Sequence, residues 1–575
     1  MKTQKDLMKI LEQINRKGYP AYKQTLGMYD FEKYCLSIER VQGDPFASPS
    51  KIKITIDSGI AKFPKKLYDT SYKKIALQDY LLRRFGKELA AFNNKAKGSG
   101  KSGLMYISKC GQEIIERNAC QIDRKTGEIA IKMEIGFPAY GRTIQAYELI
   151  TILFDYLPKI VNNSLMYENT EKKVLQSIIE LSEDQFYIRT HLKQLGLIAF
   201  IANDSVLPRE SGVSKKPLKN AIRFVSPKQM EISLQLPNKG VIKGMGIKEG
   251  ITLIVGGGYH GKSTLLKAIE LGVYNHIFGD GREYVITDDT AMKVRAEDGR
   301  SIKNVDISLF INNLPNKNNT HNFNSENASG STSQAANVIE ALEMQSKVLL
   351  IDEDTSATNF MIRDELMERV VTKDKEPITP FINRVKMLYD KYGVSTIMVA
   401  GSCGAYFEKS TQVIQMDNYR PMEITQLVKK ETELYNIEHK ILNKREICGN
   451  DEKISLCRYI ETKKEMMTQK VKIKTHGLDM IMIDKEAIDV RYIEQLVDNE
   501  QLEFIGKVLS ELVKTSRKKI KISNLVDDIY CEIQDMGMSK WGEKYNFTYR
   551  SAVARKQEVC ACINRYRKLD IINEC

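Results

Sequence analysis

The run Gly256-Gly257-Gly258-Tyr259-His260-Gly261-Lys262-Ser263 fits the pattern GxxxxGK[ST]. Glycines at these spacings let successive backbone N–H groups turn toward one point with no Cβ in the way, which suits a phosphate. Residues 252–255 read as a strand and 264–271 as a helix, so a helix N-terminus aims its positive end at the same point. The whole run from Gly256 to Thr264 is therefore the candidate site for the phosphates of ATP. Lys262 would reach the β- and γ-phosphates, and Ser263 would offer an oxygen to Mg2+. A second run, Val348-Leu349-Leu350-Ile351-Asp352-Glu353, is an apolar strand ending in two acids. Asp352 would hold Mg2+, and Glu353 would polarise the attacking water as general base.

Between these runs, Ala328-Ser329-Gly330-Ser331-Thr332 opens a helix expected over about 333–344. Ser329 and the N–H groups near Gly330 make an anion site at a helix start. After the acids comes Asp354-Thr355-Ser356-Ala357-Thr358-Asn359. This order and spacing resemble the signature motif and D-loop of ATP-binding-cassette (ABC) ATPases. In that class the signature residues contact the γ-phosphate held by the other subunit. The resemblance thus adds Ser329, Gly330 and Ser331 to the site and implies a homodimer. One departure weakens the expectation of fast hydrolysis. Most ABC ATPases carry a histidine after the strand that follows the D-loop, and here Gly401-Ser402-Cys403-Gly404 stands there. His260 reads either as a partial substitute or as a side chain that fills the loop. Asn312 or Asn313 is the candidate amide for the metal or the water, and Phe224 the candidate stacking partner for adenine.

These groups need a scaffold. Strands alternate with helices over 226–427, as in an α/β nucleotide-binding domain. The expected organisation is an α+β N-terminal accessory domain over 1–225, a P-loop ABC-type core over 226–427, and a mainly helical, basic C-terminal domain over 428–575. Ile52, Ile54 and Ile56 alternate as in a strand, and 76–92 reads as a helix. Strands are expected near 104–108 and 128–135, then helices to about 200. The asparagine-rich stretch 312–330 reads as a mobile loop, and the charged stretch 428–470 as a connector. Lys95 to Gly103 contains another Gly-Lys-Ser, but Lys95 occupies the position where the first glycine is required. It reads as a flexible basic loop that could touch a polyanion.

The 575 residues are 42% hydrophobic and 28% charged, which excludes disorder as the dominant state. Lys and Arg number 87 against 74 Asp and Glu, a net charge of +13 that favours anionic partners. The 10 cysteines form no CxxC pair, which argues against a zinc site or a disulfide framework and for a cytoplasmic protein. The N-terminus lacks a signal-peptide core and no stretch is apolar enough to insert in a membrane. Arg517-Lys518-Lys519-Ile520-Lys521 and the group Arg555, Lys556, Arg565, Arg567 and Lys568 near Tyr566 are basic clusters. Cations and an aromatic ring so placed suit RNA or DNA; the alternative is a solvated helix face. Arg142 and Arg209 read as orienting residues, and Asp44 as either a turn residue or a functional acid.

The resemblance extends along the chain. GMGIKEGITLIVGGGYHGKSTLLKAIELGVYNHI, ASGSTSQAANVIEALE and LLIDEDTSATNFMIRDELM in the core resemble a family of predicted ABC-class ATPases that carry no transporter domain. GDPFASPS, SGKSG, GFPAYGR and LPRESGVS in the first half match it too, as does ARKQEVCACINRYRKL near the end. That family is similar to a kinetoplastid mitochondrial RNA-processing ABC ATPase with extra N- and C-terminal domains. The resemblance implies a cytoplasmic, homodimeric ATPase that hydrolyses ATP with Mg2+ and uses the cycle as a conformational switch, with RNA or another nucleic acid as its cargo. Two alternatives stand beside it: the energy-coupling ATPase subunit of a transporter, and an ATP-dependent scaffold that does not hydrolyse.

Overall fold

The computed structural model describes residues 1–364, 367, 370–371, 375–401, 403–438, 454–461, 472–515, 519–545 and 549–573. They form two compact units. One comprises Met1–Glu183 with Glu532–Val553; the other comprises Asp184–Cys531 with Ala554–Cys575.

In the first unit, helix α1 (Gln4–Ile14) starts at a capping box made by Thr3 and Asp6 and buries Leu7, Leu11 and Ile14. Strands β1 (Gly27–Asp30), β2 (Cys35–Arg40), β3 (Ser50–Ile56) and β4 (Ile129–Ile135) lie side by side in that order, each antiparallel to the next. Ile52, Ile54 and Ile56 on β3 are fully buried, as their alternation requires. Helix α2 (Ser71–Ala90) buries Leu77, Leu81, Phe85 and Leu89. The chain returns to this unit late. The short helix Met538–Lys544 brings Ser539 within 3.1 Å of the Lys132 ammonium, and Asn118 accepts from the same ammonium at 2.9 Å.

The first strand of the second unit is β5 (Leu197–Ala202), buried at every residue. This strand begins inside the stretch expected to be helical. Its run LIAFIA is apolar throughout, the pattern of a strand covered on both faces, which periodicity alone cannot separate from a helix. β6 (Glu231–Leu236), β7 (Gly240–Lys248), β8 (Ile251–Val255) and β9 (Val285–Thr287) follow, with helix α3 (Lys262–Leu271) after β8. One sheet runs β6-β7-β5-β9. The other is built from β8 together with β10 (Met292–Val294), β13 (Val348–Asp352), β14 (Ser395–Val399), β15 (Gln412–Asp417) and β16 (Arg420–Glu423), in the order β10-β13-β14-β8-β15-β16. All its pairs are parallel except β15–β16. Parallel strands open their C-terminal ends on one edge, where α/β proteins bind ligands.

Strands β11 (Arg300–Val305) and β12 (Phe323–Ala328) form an antiparallel pair. The segment Phe323–Ala328 of the asparagine-rich stretch is therefore strand, not mobile loop. Phe323 and Ala328 are buried at its two ends, and the Asn304 and Asn324 side chains bond across it. Helix α4 (Gly330–Glu343) begins three residues before its expected start. Near 471–490 three short strands occur: Ile473–His476, Met480–Ile483 and Glu486–Asp489. Helices α5 (Asn499–Thr515) and α6 (Lys556–Arg565) complete this unit's later part. Much of the expected connector, 439–453 and 462–471, lies outside the described residues, as do Arg517, Lys518 and Ser402.

Candidate functional site

Apolar β8 is buried between β14 and β15, so its C-terminal end is fixed at the ligand edge of the parallel sheet. The chain leaves it at Gly256, whose φ is +136°. A Cβ there would lie 2.4 Å from the Met416 carbonyl oxygen, so only glycine fits. The loop ends at Gly261, also at positive φ, and Lys262 opens α3 directly. Among the described residues, the N–H groups of Gly257, Gly258 and Tyr259 have no hydrogen-bond acceptor within the chain. They are exposed, and Tyr259 is 99% exposed. The Lys262 ammonium donates to the carbonyls of Gly256 at 2.6 Å and Gly257 at 2.8 Å, curled over the same loop. Ser263 is exposed on the first turn of α3 and Thr264 is half-buried beside it.

His260 is a tether. Its Nδ1 accepts from the Asn418 N–H at 2.9 Å and lies 3.0 Å from an Asp417 carboxylate oxygen, while the Tyr419 N–H donates to the His260 carbonyl at 3.2 Å. The β15–β16 turn therefore grips the phosphate loop from behind. Asn418 and Tyr419 both sit at positive φ there. The Asp-Asn pair between two short apolar runs is a turn signal in the sequence, but its grip on His260 has no local sequence mark.

β13 ends in Asp352, which is 7% exposed. Burial pushes its carboxyl above the usual aspartate value, while Lys293 on β10 pulls it back. Its Oδ1 accepts from the Asp354 N–H at 3.2 Å. Glu353 is half-exposed, and its Oε2 accepts from the Gly401 N–H at 2.6 Å. Gly401 stands just past β14, at the place where a histidine is missing, so the backbone there fixes the acid that the side chain does not.

The Ser329 side chain caps α4 by accepting from the Thr332 N–H, and Ser329 is exposed. Ser331 is 7% exposed and donates to Asn359 Oδ1 at 2.6 Å. Gln334 joins the same helix to the D-loop, donating to Ser356 Oγ at 3.0 Å and accepting from the Ala357 N–H at 2.8 Å. Gly330 thus starts a helix whose first turn is locked to the segment that follows the two acids. The Asn312 amide donates to the Ser308 carbonyl, and Asn313 sits exposed at positive φ. Phe224 is 2% exposed, so its ring faces the core and offers no face for stacking a base.

The C-terminal basic cluster differs from its expectation. Arg565 is 7% exposed and paired with Glu297. Burial pushes the Glu297 carboxyl up, but Arg565 and Arg300 outweigh it and hold it below its usual value. Arg300 pairs with Glu340, and Arg458 with Glu343, along the buried side of α4. Arg555 pairs with Glu558, Lys556 with Asp527, and the Tyr566 ring is buried. Arg565 and Arg555 anchor α6 rather than line a surface, whereas Lys556 is half-exposed in its pair and Arg567 and Lys568 stay exposed.

An α/β domain with a phosphate loop, two acids at the end of a neighbouring strand and a capped signature helix defines a P-loop ATPase of the ABC class. Family models bear this out along the chain: residues 4–168 match the N-terminal domain of ATPases of the ABC class, 171–451 the P-loop domain of ABC ATPases, and 472–572 the MRB1590 C-terminal domain. The chain belongs to the ABC-class ATPases in which these two further domains flank the nucleotide-binding core. The uncharacterized protein MJ1628 of Methanocaldococcus jannaschii is 33% identical over 213 residues, 34% of this chain and 47% of that protein. The match thus spans about half the length of that curated relative. Among solved structures, cbiO1 from Clostridium perfringens, part of the ABC transporter complex cbiONQ, is 14% identical over 44% of this chain and 98% of that one, with a TM-score of 0.26. MJ1267, an ATP-binding cassette of an ABC transporter, is 13% identical over 43% of this chain and 98% of that one, with a TM-score of 0.25.

Proposed function

We propose that the protein is a cytoplasmic ATP-hydrolysing switch that works as a homodimer on RNA or another nucleic acid. The observation that carries the reading is the phosphate loop: unpaired N–H groups at Gly257, Gly258 and Tyr259 stand directly before Lys262. Those donors would cradle the phosphates, and Lys262 would exchange its two carbonyl partners for phosphate oxygens. The donor set also fits Mg2+: Ser263 offers a hydroxyl and Asp352 a carboxylate, both hard oxygens. When bound, the ion neutralises charge that develops on the transferred phosphoryl group. Glu353, held by the Gly401 N–H, would accept a proton from water attacking that group. Ser329 and Gly330 of a second subunit would close over the triphosphate, so that binding favours a closed dimer and hydrolysis reopens it. The net charge of +13 supports a polyanionic cargo.

The test is ATP turnover by the purified chain, with and without single- and double-stranded RNA and DNA. Stimulation by a polymer, lost in Lys262→Ala, is expected. Turnover that no polymer changes would sink the cargo while leaving the ATPase. A second reading, a scaffold that binds ATP without hydrolysis, is favoured by the absence of a histidine after β14. Glu353→Gln separates the two: a switch stops turning over and accumulates an ATP-bound dimer, whereas a scaffold behaves the same with either residue.

A further inference from the structure

Three stretches of the first unit, distant in sequence, meet on one surface. They are residues 43–50, 95–103 and 136–144. The Lys101 N–H donates to the Pro45 carbonyl at 2.9 Å, and the Ser99 N–H to the Ala139 carbonyl at 2.7 Å. The Gly141 N–H donates to Ser99 Oγ at 2.9 Å, and Arg142 Nε to Asp44 Oδ2 at 2.9 Å. The approach is close enough to exclude side chains. A Cβ on Gly136 would sit 1.7 Å from the Lys101 carbonyl oxygen, and one on Gly100 would sit 2.9 Å from the Phe46 ring. The loop from Lys95 to Gly103 is therefore held in place from both sides.

What this fixed surface shows to solvent is unusual for a soluble face. Phe46 is 65% exposed and Tyr140 77%, one on each side of the central loop. Lys95, Lys97 and Lys101 are exposed on that loop, and the Arg142 side chain is 82% exposed. Arg16 and Lys17, also exposed, join the rim: the Arg16 N–H donates to the Ile144 carbonyl at 3.1 Å. The acids among them are Asp44, which takes Arg142 and the Phe46 N–H, and Glu148, which takes the Lys97 N–H at 3.3 Å. Cations outnumber acids. Neither ring has a core role that would account for its place.

We propose that this surface binds single-stranded nucleic acid, with bases stacked on Phe46 and Tyr140 and phosphates held by Lys97, Lys101 and Arg142. Exposed rings among cations match unpaired bases strung on a charged backbone; a duplex hides its bases and would use only the cations. The proposal rests on the nucleic-acid reading above and assigns it a place outside the ATP site.

The experiment is fluorescence anisotropy of a labelled 20-nucleotide single strand, RNA and DNA, with the full chain at about 50 and 200 mM salt. Phe46→Ala with Tyr140→Ala should weaken binding about tenfold or more. Lys97→Ala with Lys101→Ala should weaken it and lower the salt slope by about 1.4. Thermal melting checks that each variant folds, and ultraviolet cross-linking should map to peptides holding Tyr140 or Phe46. Binding by the wild type that neither variant alters, with cross-links elsewhere, would overturn this site and leave the nucleic-acid reading standing. No binding of any strand would overturn both. Duplex bound as tightly as single strand, with no effect of removing the rings, would overturn the stacking. Capture by phosphatidylserine vesicles through these residues, without affinity for strands, would replace nucleic acid with a membrane surface.

Discussion

The chain holds two Gly-Lys-Ser loops, and the structure spends them in opposite ways. In the loop from Gly98 to Gly103, the N–H groups of Ser99, Lys101, Ser102 and Gly103 all donate to carbonyls, and the Ser102 hydroxyl donates to Ser99 while accepting from the Ala139 N–H. No helix begins there. In the loop from Gly256 to Gly261, three consecutive N–H groups are left without acceptors, and a ten-residue helix starts at the lysine. An unpaired, exposed N–H at a helix start is a donor available to a ligand; a paired one is architecture. The same division separates the cations. Arg565 and Arg555 look like a polyanion-binding stripe in sequence but are consumed by Glu297 and Glu558, whereas Lys101 and Arg142 remain at the surface.

This contrast can be broken by experiment. The largest effect belongs to the consumed cations. Arg565→Ala leaves Glu297 buried without its partner and should cost about 3–5 kcal/mol of stability in denaturant titration. Lys568→Ala, on the exposed residue nearby, should stay within about 0.5 kcal/mol. If both behave alike, Arg565 is not structural. Next is the phosphate loop. Lys262→Ala should lower ATP turnover about 100- to 1,000-fold, with the melting temperature nearly unchanged.

Asp352 sharpens the contrast through pH. Burial raises its carboxyl pKa, so the unfolded chain gives up this proton at lower pH than the folded one does. The folded state therefore bears a cost above its raised pKa, and that cost is relieved as pH falls through it. Asp352→Asn should remove the cost, raising the stability of the fold at pH 7 while abolishing Mg2+-dependent turnover. Equal stability of the two proteins at neutral pH would contradict the burial argument. A small effect is expected at the other loop: Ser102→Ala removes the hydroxyl's hydrogen bonds to Ser99 and Ala139 and should cost about 1 kcal/mol in an unfolding titration. A loss of turnover in that variant, with the protein folded, would mean that the two loops are not as different as their hydrogen bonds.

Local chemistry written over a few residues was legible without coordinates. The strand–loop–helix at 251–271, the acids at the end of β13, the alternation on β3 and the helix after Ser329 each depend on neighbours in sequence, through backbone freedom, side-chain period and capping. The strand at 197–202 escaped because an unbroken apolar run has no period to read. The pairing of 323–328 escaped because asparagines hide a strand whose two buried anchors are far apart.

The sequence by itself determined which residues can face a phosphate, because that ability lies in glycine φ angles and in a lysine at a helix start. Only the tertiary structure decided which charges are spent. Glu297 and Arg565 are 268 residues apart, Glu343 and Arg458 are 115 apart, and the Gly401 N–H and Glu353 are 48 apart. Coulomb attraction and hydrogen bonding act through space at a few ångströms, and no pattern along the chain records which partners folding brings within that reach.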